Sequence, residues 1–361
     1  MIYIILVDLF SKGYIGIKKK VFAQIKVFEK KFSPVYYTSH SGQMVYLMSD
    51  GKILEKELAI TKQECNQWIL EWIKKYGIQR TYIRYNMSDK WFIEFIKELK
   101  GKNVKSVLEF PTIPYDAEIS NNRVRIEDQY YREQLAAYLE QCTTYLNCDT
   151  VFGIPCIPLI NGVDLEEYPV HNIRKPDGTI VLIAVAAMSY WHGYERVIEG
   201  MADYYAKNGT VNIILRLVGE GTETDKYLQL TEKYQLQEHV ELLGRIEGEK
   251  LNRLYDEADI AIGVLGLYKK NMTYATPIKS GDYCARGIPF VYGYDDGGFS
   301  GEESYVLKVS NDSQPINMKE IIDFYNQLKK HNFYVDDMRN YASQKYTWDI
   351  ILEQVMEYYT E

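Results

Sequence analysis

ADIAIGVLGLYKKNMTYATPIKSGDYCARGIPFVY, residues 258–292, is the stretch that decides the fold of this 361-residue chain. The apolar runs 260–264 and 289–292 read as buried strands, because a strand covered on both faces loses its polar alternation. Between them, Thr276 suits a helix N-cap and Pro277 the first helical position, where its missing N–H costs nothing. Gly287 suits the left-handed stop, and Pro289 prevents continuation. A short helix is therefore predicted over 277–286. Its N-terminus offers unpaired N–H groups and a partial positive charge, which suit a phosphate. Lys269, Lys270 and Lys279 could add cations there, and Asp282, in the second turn, could accept two hydrogen bonds from a ribose diol. Capped helices with charged faces occur in every α/β domain, so this segment alone leaves both readings open.

Working outward, the same alternation recurs. After a Pro/Gly/Asn-marked stretch over 154–178, strands are predicted at 180–187, 211–218, 240–243 and 260–264, with helices at 194–207, 224–234 and 248–256 between them. Helices near 318–329, 335–344 and 348–359 close the chain. Toward the N-terminus, 2–7, 35–37, 45–48, 81–85 and 104–110 read as strands and 62–75 and 89–99 as helices. A helix after the first strand carries Ile17, Val21, Phe22, Ile25, Phe28 and Phe32 on one face. The fold class is α/β: two doubly wound, Rossmann-like domains, which place ligands at the carboxyl ends of their strands. The expected division is 1–170, 171–330, and C-terminal helices over 331–361.

Bulk properties narrow the function. The length exceeds what one hydrophobic core usually serves. A net charge of −8 opposes general nucleic-acid binding. Five cysteines, odd in number and scattered, form neither a disulfide framework nor a metal motif, which fits a reducing compartment. The opening run 2–7 is too short to span a membrane, and no signal-peptide pattern follows it. An intracellular, cytoplasmic protein is expected. The 33 tyrosines suit clefts for hydroxyl-rich ligands, or reflect compositional bias.

The segments VNIILRLVGEG (211–221), VELLGRIEGEKLNRLYDEADIAIG (240–263) and DYCARGIPFVY (282–292) together resemble the donor domain of family 4 glycosyltransferases. LEFPTIPYD (108–116), IPLINGVDLEEYP (157–169) and MSYWHGYERVIEG (188–200) fit the same group, including enzymes of capsular and exopolysaccharide synthesis. The resemblance implies the GT-B architecture, two domains facing a cleft, and transfer of a hexosyl unit from a UDP- or GDP-linked sugar to a glycan or lipid-linked hydroxyl, with retention. It implies no metal and no bound cofactor. Asp295 and Asp296 agree, since they sit in a Gly-rich turn where Asp is expected anyway.

Carried over residue by residue, the resemblance places the diphosphate near His192, Gly193, Lys270, Thr276, Pro277, Ile278 and Lys279. It places the ribose at Asp282 and the base near Gly244, Arg245 and Ile246. There are departures. The family usually has two glutamates separated by seven residues, where this chain has Tyr274 and Asp282. Its Lys-Gly after the first donor-domain strand is His192-Gly193 here, so the family's phosphate cation is missing at that point, where Lys270 or Lys279 could replace it. His192 is a catalytic candidate by stabilising the leaving group, or else a strand-end histidine with a local hydrogen bond.

Glu109 and Asp116 are catalytic candidates for the acceptor hydroxyl, with Tyr115 beside them, although Glu109 could equally cap a loop. Gly13 and Gly16 mark an acceptor-side loop or a plain βα turn. The helix that follows carries Lys18, Lys19, Lys20, Lys26, Lys30 and Lys31, a face for anionic lipid at the inner membrane surface or simply for solvent. Rival functions are a sugar-nucleotide epimerase or phosphorylase, and a catalytically silent subunit binding a partner transferase.

Overall fold

The structure is a computed structural model that describes residues 1–5, 7–11, 15–116, 119–330 and 334–361. It contains two compact units, Met1–Ile160 with Trp348–Glu361, and Asn161–Thr347. The division falls ten residues earlier than 170, and residues 334–347 stay with the second unit, leaving only the last helices to the first.

The first unit runs β1 (Ile2–Ile4), α1 (Ile15–Phe32), β2 (Tyr36–Ser41), β3 (Met44–Ser49), β4 (Lys52–Leu58), α2 (Lys62–Lys75), β5 (Arg80–Arg84), α3 (Lys90–Gly101), β6 (Lys105–Phe110), α4 (Asn122–Arg132), β7 (Gln141–Thr144), β8 (Thr150–Val151) and β9 (Ile154–Pro158). Its sheet order is β4-β3-β2-β1-β5-β6-β7-β9-β8, with parallel pairing from β2 through β9 and antiparallel strands at both edges.

The second unit runs β10 (Thr179–Val185), α5 (Glu195–Ala206), β11 (Asn212–Val218), α6 (Thr224–Lys233), β12 (Val240–Gly244), α7 (Glu249–Asp256), β13 (Ile260–Ile262), β14 (Tyr274–Ala275), α8 (Ile278–Arg286), β15 (Phe290–Tyr292), β16 (Asp295–Asp296), β17 (Val306–Lys308), α9 (Met318–Leu328) and α10 (Tyr334–Lys345). Its main sheet is wholly parallel in the order β12-β11-β10-β13-β15-β17. The chain ends in α11 (Trp348–Ile351) and α12 (Glu353–Tyr358), two short helices where one was expected. Trp348, Leu352, Val355 and Tyr359 join the first unit's core beside Tyr3, Val21 and Phe28, and the Tyr359 hydroxyl donates to the Thr81 carbonyl at 2.5 Å.

The elements absent from the sequence reading have physical reasons. β4 (KILEKEL) is an edge strand, exposed and charged along most of its length, as edges must be to resist pairing with other chains. α4 (NRVRIEDQYYR) buries only Asp128, so no apolar period marks it. Many of the tyrosines are core residues: Tyr3, Tyr82, Tyr194, Tyr227, Tyr283 and Tyr292 are among the fully buried side chains.

α1 departs from its expected face. Phe22 is 39% exposed, whereas Ala23, Gln24, Val27 and Lys20 are buried. Lys20 turns inward because Glu109, with no exposed surface, lies at its end: the ion pair is 3.2 Å long, and the ammonium also lies 3.4 Å from the centre of the Tyr145 ring. Arg84 reaches the same carboxylate at 3.0 Å, and the Tyr3, Tyr145 and Gln24 side chains donate to it as well. Burial disfavours the charged Glu109, but Lys20 and Arg84 outweigh it and hold the carboxyl down at about 2. Burial pushes Lys20 down to about 7 against the pull of Glu109.

A carboxylate between two buried cations is the arrangement whose disruption costs most, because the partners cannot return to water. Glu109→Gln keeps the side-chain volume but leaves Lys20 and Arg84 uncompensated. It should destabilise the first unit by about 3–5 kcal/mol, read as an earlier urea-unfolding midpoint, with part of the loss recovered by adding Lys20→Met. A midpoint unchanged from the parent would contradict this account.

Candidate functional site

The second unit's strand order puts the first strand, β10, between β11 and β13, so the connections leaving β10 and β13 diverge to opposite sides. A crevice at the carboxyl ends of the strands follows, and ligands of doubly wound sheets bind there. The turn after β10 carries His192 and Gly193, and the turn after β13 carries Leu265 and Gly266. Leu265 N–H donates to the His192 carbonyl at 2.9 Å. Gly193 has φ +70°, and a Cβ there would lie 2.7 Å from the Gly266 nitrogen. Gly193 is thus required by backbone contact at the crevice. Arg196, 1% exposed, locks the same turn from behind, donating to the carbonyls of Leu265 (2.6 Å), Ser310 (3.0 Å) and Gln314 (2.7 Å).

His192 is buried and stacks on Tyr194 with ring centres 5.4 Å apart. Its Nδ1 accepts the Ser189 N–H at 3.0 Å. A backbone N–H can only donate, so the neutral ring must carry its hydrogen on Nε2. Burial, helped by the Lys279 charge, holds the imidazole down at about 3. The sequence offered His192 as a leaving-group stabiliser or as a strand-end histidine with a local hydrogen bond; the local bond to Ser189 is present, and it leaves the neutral ring a hydrogen-bond donor through Nε2.

Lys279 is the cation brought to this crevice. Its ammonium donates to the carbonyl of Val185, the last residue of β10, and lies 3.4 Å from the Tyr194 hydroxyl. Burial lowers its pKa to about 7, offset in part by Asp282. Lys270 is exposed, its ammonium 5.0 Å from the centre of the ring of Trp191, in the turn that carries His192. Lys269 is neutralised by Glu195.

The helix bearing Lys279 begins one residue later than expected. Pro277, with ψ 145°, occupies the N-cap position in place of Thr276, and α8 starts at Ile278 without a side-chain cap from that residue. Thr276 is buried, and its carbonyl accepts the Asn161 amide at 2.6 Å. The first turn is fixed by Asp296, buried, which accepts Ser280 Oγ (2.6 Å), Tyr294 OH (2.9 Å) and Gly298 N–H (2.9 Å). Asp296 therefore has a structural role that its turn-like sequence did not signal. Asp282, one helical turn beyond Lys279, is half-buried and hydrogen-bonded by Tyr168, whose hydroxyl is pushed up by burial and by that carboxylate.

At the neighbouring strand ends, Gly219 (φ +123°) packs onto the Ala186 carbonyl and its N–H donates to the Gly244 carbonyl at 2.7 Å. Gly244 closes β12, Ile246 is half-buried, and Arg245 is exposed and paired with Glu247 at 2.7 Å. Tyr274 lies on β14, opposite Asp295 of β16, with its hydroxyl close to Gly297. Among the described residues, no group of three or more His, Cys, Asp or Glu could hold a metal ion.

In the first unit, Glu109 is sealed between Lys20 and Arg84 and acts as their counter-ion, without the open oxygen a general base needs. Asp116 is partly exposed and engaged by Arg132 (3.1 Å) and Gln129 (2.7 Å); those contacts hold its carboxyl low despite burial. Tyr115 is buried against Asp128. Gly16 stands in open space at the start of α1, and Gly13 lies outside the described residues. Arg196, Tyr168 and Asp128 are functional or positioning residues that sequence reasoning missed. Arg196 and Tyr168 lie within the quoted stretches 188–200 and 157–169 but were not singled out there, Asp128 lies on a helix with no motif, and only their partners reveal them.

Residues 170–301 match the model of the family described as "Glycosyl transferases group 1". No curated protein matches the sequence closely enough to count as a relative. Among solved structures, the chain is similar to a sucrose-phosphate synthase from Thermosynechococcus elongatus (14% identity, 100% of this chain and 98% of that one, TM-score 0.67). It is also similar to a glycosyltransferase from Rickettsia africae (13%, 100% and 98%, TM-score 0.69) and to Anabaena Alr3699/HepE in complex with UDP (14%, 100% and 100%, TM-score 0.64). At these identities the likeness establishes the fold, which is GT-B.

The His192 geometry has a measurable consequence. The folded ring stays neutral while the unfolded chain takes up a proton below about 6.5, so the second unit should lose stability as pH falls from there toward about 3. His192→Gln should remove that component of the acid sensitivity. In NMR spectra the His192 ring signals should not titrate between pH 8 and pH 5; a midpoint near 6.5 would contradict the buried, neutral assignment.

Proposed function

We propose that this chain, a GT-B protein whose second unit carries a group 1 glycosyl transferase segment, transfers a hexosyl unit from a nucleotide diphosphate sugar to a glycan or lipid-linked hydroxyl. The observation that carries the proposal is the convergence, at one topological switch point, of the His192 Nε2–H, the Lys279 ammonium and the N-terminus of α8, whose N-cap is a proline. All three are donors, and all suit an anion at the carboxyl end of β10. The structures of Anabaena HepE hold UDP, UDP with glucose, and UDP-glucose, which supports a uridine diphosphate sugar as the ligand class.

In the proposed reaction the bond between the anomeric carbon and the diphosphate oxygen breaks, and the acceptor oxygen bonds to that carbon and loses its proton. Negative charge grows on the departing diphosphate, where Lys279 and His192 stabilise it without a metal ion. Asp282 accepts the ribose hydroxyls, positioned by Tyr168. The backbone at Gly244, Arg245 and Ile246 borders the base. Retention of configuration and a role in surface polysaccharide synthesis rest on the family resemblance. Tyr274, standing where a glutamate is usual, favours one alternative, a silent subunit, which UDP binding without turnover of any nucleotide sugar would reveal.

Among the described residues, no helix is long and apolar enough to cross a membrane. The proposed site of action is the cytoplasmic membrane face, approached through α1, where Lys19, Lys26, Lys31 and Phe22 are exposed. Lys20 and Lys30 are committed to Glu109 and Asp349. Vesicles containing anionic lipid should retain the protein more than neutral ones, and Lys19→Glu/Lys26→Glu should abolish the difference; equal retention by both would refute the contact.

The nucleotide site is tested by calorimetry with UDP and uridine. Lys279→Met should weaken UDP by about tenfold or more while sparing uridine, as expected for one charge-assisted contact of roughly 1.5–3 kcal/mol. Asp282→Asn should weaken both. Because the Lys279 amine titrates near 7 in the free protein, UDP affinity should fall as pH rises beyond that, by up to about tenfold per unit, and Lys279→Met should lose this dependence. UDP release from a nucleotide-sugar panel should be insensitive to EDTA. A pH-independent affinity, or activity abolished by the chelator, would contradict the assignment.

A further inference from the structure

The first unit holds a polar constellation that the nucleotide site does not use. Asp128 of α4 has no exposed surface, yet its carboxylate is fully engaged. Oδ1 accepts the Tyr85 hydroxyl and the Ser88 N–H, both at 2.6 Å, and Oδ2 accepts the Tyr115 hydroxyl at 2.7 Å and the Arg132 guanidinium at 3.3 Å. A buried network with every member satisfied is rigid. It fixes the rings of Tyr85 and Tyr115, centres 5.8 Å apart, as one wall of a pocket of ≈ 480 Å³ where β5 and β6 end.

The lining specifies the ligand chemistry. Asn86, Thr112 and Ser120 face the pocket with polar side chains that make no hydrogen bond within the described protein. Asn121 uses its carbonyl oxygen to cap α4, on the N–H groups of Arg123 and Val124, and keeps its amide hydrogens. Met87, Pro111, Ile119 and Val124 supply apolar surface. None of the described lining residues is charged, so none of them would offset the desolvation of a phosphate or carboxylate. A lipid tail would find the amides and hydroxyls unmatched for the same reason. A sugar ring fits both halves: its hydroxyl edge answers the amides and hydroxyls, and its C–H face answers the tyrosines and aliphatic groups. A second pocket of ≈ 240 Å³ shares Asn86 and Met87 and extends past Asn66, His40 and the Lys62–Asp89 ion pair (2.6 Å), whose charges compensate each other, so the surface continues beyond one sugar.

From this lining we infer that the first unit binds a neutral oligosaccharide, one sugar against Tyr85 and Tyr115 and the next across Asn86 and Met87. That this glycan is the acceptor rests on the transferase reading above; that it binds here does not. The test is retention of the full-length protein on immobilised neutral and acidic oligosaccharides, with Thr112→Trp and Val124→Trp as variants that fill the pocket. Thr112 is exposed, so the larger ring should be accommodated, and UDP binding and thermal melting report whether each variant is folded.

The expected result is retention by one or more neutral glycans, disaccharides above monosaccharides, reduced by about tenfold or more in a folded variant. No neutral glycan retained, acidic glycans preferred, or retention unaffected by both variants would overturn the inference. UDP binding lost with glycan retention intact would count against the nucleotide site alone. The reverse outcome would count against this pocket alone.

Discussion

The close approach of Gly193 to Gly266 is the constraint on which the second unit's chemistry depends. Any Cβ at Gly193 would strike the Gly266 backbone, and φ +70° already excludes most side chains. With those turns interlocked and braced by Arg196, the β10 and β13 connections hold a fixed gap. The Ser189 N–H can then hold the His192 ring in one tautomer, and Lys279 can reach the Val185 carbonyl from α8. Asp296 does the complementary work at the start of α8 through Ser280 and Gly298. Backbone geometry sets the site, and the ionisable groups are carried by it.

The electrostatics follow from that geometry. A protonated His192 beside Lys279 would place two like charges in a poorly solvated crevice, and desolvation resolves the conflict by leaving the imidazole neutral. The site therefore offers one titratable ammonium, a neutral N–H and a helix terminus. Such a set can bind an anion without holding a large excess of buried positive charge when empty. The first unit solves a related problem with Glu109, which compensates Lys20 and Arg84. Asp128 is different again: its charge is spent on two tyrosine hydroxyls, a backbone N–H and Arg132, leaving a neutral surface in front of it.

Much of this was legible in the sequence wherever an apolar period or a punctuating residue marked an element. The runs at 180–187, 211–218 and 240–243 fall on parallel strands, and Gly287 does end α8 in a left-handed conformation, φ +78°. The cap was misplaced by one residue because Thr276-Pro277 satisfies a local rule that tertiary contact overrides: the strand pairing β14–β16 keeps the chain extended through Pro277. Lys20 and Glu109 were read as surface and cleft residues because a lone charge carries no sign of its partner, and the two lie far apart in sequence. α4 was invisible, since its one buried side chain is an aspartate. Lys279 could be named as a candidate cation, but its advantage over Lys270 appears only once its ammonium is seen at the end of β10.

The most direct test of the central claim is a crystal structure of the full chain with UDP. The account predicts the diphosphate at the carboxyl end of β10, within hydrogen-bond distance of Lys279 Nζ and His192 Nε2, with the ribose hydroxyls on Asp282 and the Lys279 contact to the Val185 carbonyl exchanged or shared. A diphosphate bound elsewhere, with Lys279 still directed only at that carbonyl, would contradict it.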